Sequence, residues 1–370
     1  MVITPRIAID ARYAAPPLSG FGRYTWNLLF GLAAIGPPEP VLILQRPGQA
    51  VPDRLREVDT YRWRDIDRSP HEPIGQWRLA RALAAEGVMV MVSPDSFAPL
   101  ARVPRQVTTL HDIIPLRCPE QLHRSAKGRF SRLWRFWLQL QIRRADLVIT
   151  VSDHARSDIA AAFDGAHEKL RTVYNAVAAI PADPARDNHP FRGRAQLLYV
   201  GRSAPYKNIV GCIETAAILR GRGIDAELTI VGELDPRYPE AAEAIQRHGL
   251  GDHVTITGHV AEARLQQLYR DATVFLFLSR YEGFGLPPLE AMAQGVPVVS
   301  SDRASMPEIL GDAALLVNPD DSEAAAAAVR RIIEEPGLAE TLSRRGLARA
   351  GSFTRERQAT MLWEAVSPLL

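Results

Sequence analysis

Short apolar, β-branched runs recur along the chain, and between them apolar residues return every three or four positions. In the first half the runs are RIAID (6–10), VLILQ (41–45), VMVMV (88–92), QVTTL (106–110) and DLVITVS (146–152). Each predicts a strand, the intervening periodicity predicts helices, and their alternation predicts a mainly parallel sheet. The pattern breaks over 176–195, where Pro181, Pro184 and Pro190 interrupt a polar stretch that reads as an interdomain linker. Alternation resumes with QLLYV (196–200), AELTIV (226–231), VTIT (254–257), TVFLFL (273–278) and VPVVS (296–300), a second doubly wound unit. The Ala-rich run 323–329 reads simply as a good helix former. The expectation is an α/β protein of two Rossmann-like, doubly wound parallel-sheet domains, 1–180 and 196–354, joined by a linker at 181–195.

Length supports that division, because 370 residues exceed what one hydrophobic core usually serves. With 46% hydrophobic residues and 44 basic against 42 acidic side chains, a net +2, composition excludes disorder and a global field for nucleic acid. Cys118 and Cys212 lie far apart without a CxxC pattern. They read as core residues in a reducing compartment, not as zinc ligands or a disulfide framework. The opening MVITPRIAID reads as a strand and not a signal peptide, and no run of about 18 apolar residues is present to span a bilayer. A cytoplasmic protein, soluble or peripheral, is expected.

Open α/β sheets bind ligands at the loops beyond the carboxyl ends of their strands, so two such sheets predict a site in the cleft they face. TVFLFLS reads as a buried strand, RYEGFGLP as the loop leaving it and PLEAMAQ as the next helix. Glu290 follows Pro288 in the first turn, where the helix dipole favours an acid. Glu282 stands in the loop, which need not carry charge, and Gly283 and Gly285 let backbone N–H groups approach a polar ligand. Arg202 and Lys207 follow Gly201 at the end of the second half's first strand, and His259 and Val260 follow Gly258 after another. In the first half, a Gly20-Phe21-Gly22 turn precedes a helix but lacks the third glycine of a dinucleotide fingerprint. His111 and Asp112 end a strand, while Ser152 and Asn175, at further strand ends, read as cap or turn residues and second-tier site candidates. The one Asp-x-Asp triplet, Asp65-Ile66-Asp67, lies among arginines ahead of a proline.

Glutamate, then Gly-Phe-Gly-Leu-Pro, then a second glutamate eight positions after the first resembles the signature of glycosyltransferase family 4, retaining enzymes of the GT-B fold. The resemblance implies that Glu282 contacts donor-sugar hydroxyls, that Gly283, Phe284, Gly285 and Leu286 meet sugar and phosphate, and that Glu290 holds the ribose. Carboxylates suit vicinal hydroxyls, which donate to them in charge-assisted bonds. It further gives Arg202 and Lys207, beside Gly201, to the pyrophosphate, and His259 and Val260 to the base. Gly20, Phe21 and Gly22 would face the diphosphate across the cleft, His111 would border the reacting sugar, and 355–370 resembles the closing helix that crosses back to the first domain. No metal and no cofactor are expected, because Arg202, Lys207 and helix N-termini can stabilise a departing nucleoside diphosphate. Retaining hydrolases use a carboxylate nucleophile. Here a same-face attack is expected, the leaving phosphate taking the acceptor proton and His111 hydrogen-bonding to the sugar. LHDIIPLRCPE and SGFGRYTWNLL look most like mannosyltransferases of polysaccharide and lipopolysaccharide assembly. That implies GDP-mannose as donor, with another hexose donor such as a UDP-hexose as runner-up, and a glycan or polyprenyl-diphosphate-linked acceptor.

Rival readings are a nucleotide-sugar epimerase or a phosphorylase on the same plan, and a catalytically dead, glycan-binding copy. The dead copy should have lost Glu282, His111 or Lys207, and all three are present. A triad hydrolase lacks its G-x-S-x-G elbow. One local feature stands apart. The stretch 123–146 holds Arg124, Lys127, Arg129, Arg132, Arg135, Arg143 and Arg144 with no acid before Asp146. Phe130, Leu133, Trp134, Trp137 and Leu138 fall at helical spacing on one face. Two readings stand together, a helix packing its aromatics into the core and a peripheral contact with anionic lipid.

Overall fold

The computed structural model describes residues 5–14, 20–66, 73–98, 104–122, 124–125, 129–178, 191 and 193–370. The chain divides into two compact units, one of Met1–Ile113, Arg132–Ala178 and Phe353–Leu370, the other of Ile114–Ser131 and Ala179–Ser352. Most of the expected linker lies outside the described residues.

In the first unit the strands are β1 (Ile7–Asp10), β2 (Val41–Gln45), β3 (Tyr61–Asp65), β4 (Val90–Ser93), β5 (Arg105–Leu110), β6 (Leu147–Thr150) and β7 (Leu170–Thr172). They form one parallel sheet in the order β3-β2-β1-β4-β5-β6-β7. β1, β2, β4 and β6 are buried throughout, which is why their sequences are largely apolar. Edge strand β3 alternates instead, with Tyr61 buried and Arg62 exposed. Charges on an edge strand discourage pairing with another chain, and they also hide the strand from a search for apolar runs. β3 ends on Asp65, so the Asp-x-Asp triplet opens on the last residue of a strand, and Asp65 Oδ1 accepts from Gln45 Nε2 at 2.6 Å. Asp67 lies outside the described residues.

The C-terminal helix Arg355–Val366 packs on the helix Gly20–Ile35. Asn27 joins three segments: its Nδ2 donates to the Ala176 carbonyl at 2.8 Å, and its Oδ1 accepts from Arg355 Nε at 2.8 Å. Thr354 caps the C-terminal helix, accepting from Arg357 N at 3.1 Å. The approach is close enough that a Cβ on Gly31 would lie 2.0 Å from the Arg355 carbonyl oxygen.

In the second unit β8 (Ala195–Val200), β9 (Ala226–Val231), β10 (Val254–Gly258), β11 (Val274–Phe277), β12 (Val298–Ser301) and β13 (Leu315–Val317) make a parallel sheet ordered β10-β9-β8-β11-β12-β13. Tyr199 on β8 stacks on Phe277 of β11 at 5.8 Å, and Phe275 on Phe277 at 6.1 Å. Cys118 and Cys212 are both buried, and neither forms a disulfide among the described residues.

The helix Ser131–Arg144 departs from the expected single aromatic face. Leu138, Gln141 and Ile142 are buried and Trp134 and Trp137 half-buried, whereas Phe130 and Leu133 are exposed. The apolar positions are too numerous for one stripe, so they divide between two sides.

Candidate functional site

In the second unit the chain leaves β8 for β9 and β10 and returns with β11 on the other side of β8. That reversal opens a crevice beyond the carboxyl ends of β8 and β11, the usual ligand position in open α/β sheets. Lys207 comes from the short helical turn Pro205–Lys207 after β8, and Glu282 from the loop after β11. Lys207 Nζ donates to Glu282 Oε1 at 2.5 Å, with the two side chains 16% and 8% exposed. The ammonium also lies 5.4 Å over the Tyr206 ring and 5.5 Å over Phe277, on the aromatic stack beneath the crevice.

The two loops are stitched together by backbone. Arg280 N donates to the Tyr206 carbonyl at 2.7 Å and Arg280 Nη1 to the Pro205 carbonyl at 3.0 Å. Asn208, with φ +52°, accepts from Gly211 N at 3.3 Å to cap the helix Ile209–Gly221, and its Nδ2 donates to the Pro319 carbonyl at 2.6 Å. Lys207 is thus positioned by ties on both sides.

The glycine loop is held from below by Ser305, a fully buried residue whose hydroxyl lies 3.0 Å from the carbonyl oxygens of both Glu282 and Phe284. Gly285 has φ +95°, and a Cβ there would meet Met306 Cε at 2.2 Å. Glycine takes that conformation without strain, and a larger residue would also have to displace the Met306 side chain. Leu286 then opens the helix Leu286–Ala293 with Pro287 and Pro288 in its first turn. Glu290 on that helix accepts from the buried Tyr269 hydroxyl at 3.1 Å, so a specific hydrogen bond orients a carboxylate the dipole alone would leave mobile. Tyr206, Tyr269 and Ser305 were not legible as site residues, since a ring face, a backbone carbonyl or a hydroxyl that supports a neighbouring loop leaves no spacing signal.

Gly201 directly follows β8, its N–H donating to the Val231 carbonyl at 2.9 Å. Arg202 is exposed, and its guanidinium makes no hydrogen bond or ion pair among the described residues. His259 is exposed and Val260 half-buried, beyond β10 and two strands away from β8. The structure therefore brings Gly201, Lys207, Glu282 and residues 283–286 to one sheet edge, with Glu290 on the helix that follows and His259 at the periphery.

In the first unit His111 follows β5. His111 Nε2 lies 2.8 Å from the Pro94 carbonyl oxygen, which can only accept, so Nε2 carries the proton and Nδ1 a lone pair. Phe21 and Tyr24 set their rings against the imidazole at 4.7 and 4.8 Å. Burial pulls the His111 pKa down to about 4, outweighing the opposing pull of the Pro94 carbonyl. It is neutral at pH 7 and offers Nδ1 as an acceptor. Gly20, Phe21 and Gly22 form the first turn of the helix itself and not a turn ahead of it. Ser152 caps the helix Asp153–Ala162, accepting from Ala155 N at 3.0 Å. Asn175 is buried, and its Oδ1 has no hydrogen-bond partner among the described residues.

Sequence reasoning missed one feature of this unit, at the corresponding reversal between β1 and β4. Arg12 Nε and Nη2 donate to Asp10 Oδ1 and Oδ2 at 2.8 and 2.6 Å in a fork, both residues 3% exposed or less. Asp95, just past β4, accepts from Phe97 N at 2.7 Å. Burial, reinforced by Asp95 and Asp10, holds the Tyr13 hydroxyl far above its ordinary pKa. An Asp-x-Arg directly after a strand was the signal available.

Residues 18–179 match the family described as Glycosyltransferase Family 4, and residues 183–349 that described as Glycosyl transferases group 1. The O-antigen chain mannosyltransferase B of Escherichia coli is 30% identical over 369 residues, spanning 93% of this chain and 94% of that one. The chain belongs to glycosyltransferase family 4. Another family relative, the O-antigen chain mannosyltransferase RfbU of Salmonella typhimurium, is 31% identical over 70% of this chain and 69% of its own. Among solved structures, sucrose-phosphate synthase of Thermosynechococcus elongatus superposes with a TM-score of 0.77 over 99% of both chains at 22% identity. HepE of Anabaena, in complex with UDP-glucose, gives 0.75 over 98% and 99% at 19% identity. The fold of this glycosyltransferase is GT-B.

Proposed function

We propose that this glycosyltransferase moves mannose from GDP-mannose, with retention and without a metal, to a glycan or lipid-linked acceptor in cell-surface polysaccharide assembly at the cytoplasmic side of the membrane. The observation that carries the chemistry is the Lys207–Glu282 pair at the β8/β11 reversal, a fixed cation and a sugar-binding carboxylate side by side. The mannosyltransferase relatives carry the choice of sugar.

In this reading the diphosphate sits on Gly201, Arg202 and Lys207, and the ribose hydroxyls donate to Glu290. As the bond from the anomeric carbon to the phosphate oxygen breaks, charge grows on the diphosphate beside Lys207 and Arg202, whose preorganised charge lowers the barrier. Hydroxyls of the sugar donate to Glu282 and, being neutral, His111 accepts from a sugar hydroxyl at Nδ1. The acceptor hydroxyl attacks from the face the diphosphate leaves, and its proton passes to the departing phosphate oxygen. Ser152, already capping a helix, is assigned structural support. A second reading, a UDP-hexose donor, is favoured by the UDP-glucose complex of HepE, a protein of the same fold.

Incubation with GDP-mannose or UDP-glucose in EDTA, with release of free nucleotide and product anomeric configuration followed by NMR, tests the proposal. GDP release unaffected by chelator and an α-linked product are expected. Turnover only with the UDP-sugar would select the second reading, and chelator-sensitive turnover restored by Mn²⁺ would refute metal independence.

A further inference from the structure

The three most exposed large apolar side chains described in this protein, Phe130 at 57%, Leu133 at 67% and Phe136 at 69%, fall within seven residues of one another. Leu133 and Phe136 lie on the helix Ser131–Arg144, three positions apart on one face that Leu140 and Arg143 continue, and Phe130 directly precedes it. The opposite face is built into the first unit: Leu138 and Ile142 are buried, Trp137 Nε1 donates to the Ser96 carbonyl at 3.1 Å, and Gln141 Nε2 to the Ala98 carbonyl at 3.2 Å. Phe97 packs on Trp134 and Trp137 at 5.8 and 5.9 Å. Lys169 Nζ closes the helix's far end, donating to the carbonyls of Ile142, Arg143 and Ala145 at 3.2, 3.0 and 2.7 Å. The helix is a fixed platform with its outer apolar strip left in water.

Charge decides what that strip fits. Between Glu120 and Asp146 the chain carries no acidic residue, and exposed Arg132, Arg143 and Arg144 lie on the same helix beside the strip. Arg135, although exposed, is tied to the neighbouring helix end, its Nη2 donating to the Ala162 carbonyl at 2.6 Å and its guanidinium lying 5.2 Å over the Phe163 ring. An apolar protein partner would leave those arginines unpaired, whereas an anionic bilayer offers hydrocarbon to the rings and phosphate to the guanidinium groups. We infer that the outer face of this helix docks the protein on an anionic membrane surface, with Leu133 and Phe136 entering the interface and Arg132, Arg143 and Arg144 meeting lipid phosphates. This inference does not rest on the donor assignment. None of its residues belongs to the proposed donor site.

Vesicle flotation tests it with three proteins: wild type, Leu133→Ser/Phe136→Ser and Arg132→Glu/Arg143→Glu. Wild type should bind phosphatidylglycerol-containing vesicles at low salt at least about tenfold better than pure phosphatidylcholine, and each double variant should lose at least about tenfold. Both variants change side chains already in water, so melting temperature and GDP binding should match wild type. The inference is overturned if wild type ignores anionic vesicles, if it binds neutral ones equally, or if both variants bind as well as wild type. Light scattering closes the remaining alternative: a wild-type dimer that Leu133→Ser/Phe136→Ser dissolves would make the strip a self-association surface instead.

Discussion

The Lys207 ammonium meets the Glu282 carboxylate at 2.5 Å, with both side chains largely withdrawn from water. A pair so desolvated is costly to break from one side, because the surviving charge is left without its partner; such losses run at about 3–5 kcal/mol. Lys207→Met should therefore lower the melting temperature as well as turnover. Restoring neutrality with Lys207→Met/Glu282→Gln should recover most of the stability and none of the activity, turnover staying about a hundredfold or more below wild type. A double-mutant cycle read by thermal melts and by GDP release separates the two effects. Recovery of turnover along with stability would mean that Lys207 only neutralises Glu282.

His111 makes stability depend on pH in a defined direction. Its pKa is near 6.5 in the unfolded chain and about 4 in the folded protein. Above pH 6.5 both states are neutral and nothing depends on pH. As pH falls from 6.5 towards 4 the unfolded chain takes up the proton first, and stability drops by on the order of 3 kcal/mol. His111→Gln, which cannot titrate, should remove that drop. Parallel denaturant melts at pH 7.5 and 4.5 give the difference, and identical pH dependence of the two proteins would contradict the assignment.

Two glycines of one helix should respond oppositely to alanine. Gly31 faces the Arg355 carbonyl with no room for a Cβ, so Gly31→Ala should force the two helices apart and cost about 1–3 kcal/mol or more. At Gly20 nothing lies within 4 Å, and Gly20→Ala should be neutral or stabilising by up to about 1 kcal/mol. Chemical denaturation of both variants checks this. Equal effects would mean the C-terminal helix does not pack as described.

What the sequence disclosed and what it hid divide along physical lines. Central strands such as β2 and β11 were legible because burial on both faces demands a largely apolar run. Edge strand β3 was not, since exposed Arg62 and half-buried Arg64 imitate a loop. Glu282 stood out as a charge that its loop did not need, Glu290 by its place eight positions later in the signature, and Lys207 by following a strand. Ser305 and Tyr269, which hold those groups in place, are ordinary residues whose part depends on contacts more than twenty positions away in sequence. The helix Ser131–Arg144 shows the limit of periodicity: spacing grouped Leu133 with Trp134 and Trp137, and only the three-dimensional packing separates the inward rings from the outward strip.

The central claim is that this sheet edge holds a nucleoside diphosphate, and titration calorimetry with GDP tests it most directly. Wild type should bind GDP more tightly than UDP. Glu290→Gln, which keeps shape and loses charge, should weaken GDP by about 1–3 kcal/mol, or roughly five- to 150-fold, with the melting temperature held. Undiminished GDP affinity in that variant, or no heat with either nucleotide in wild type, would contradict the account.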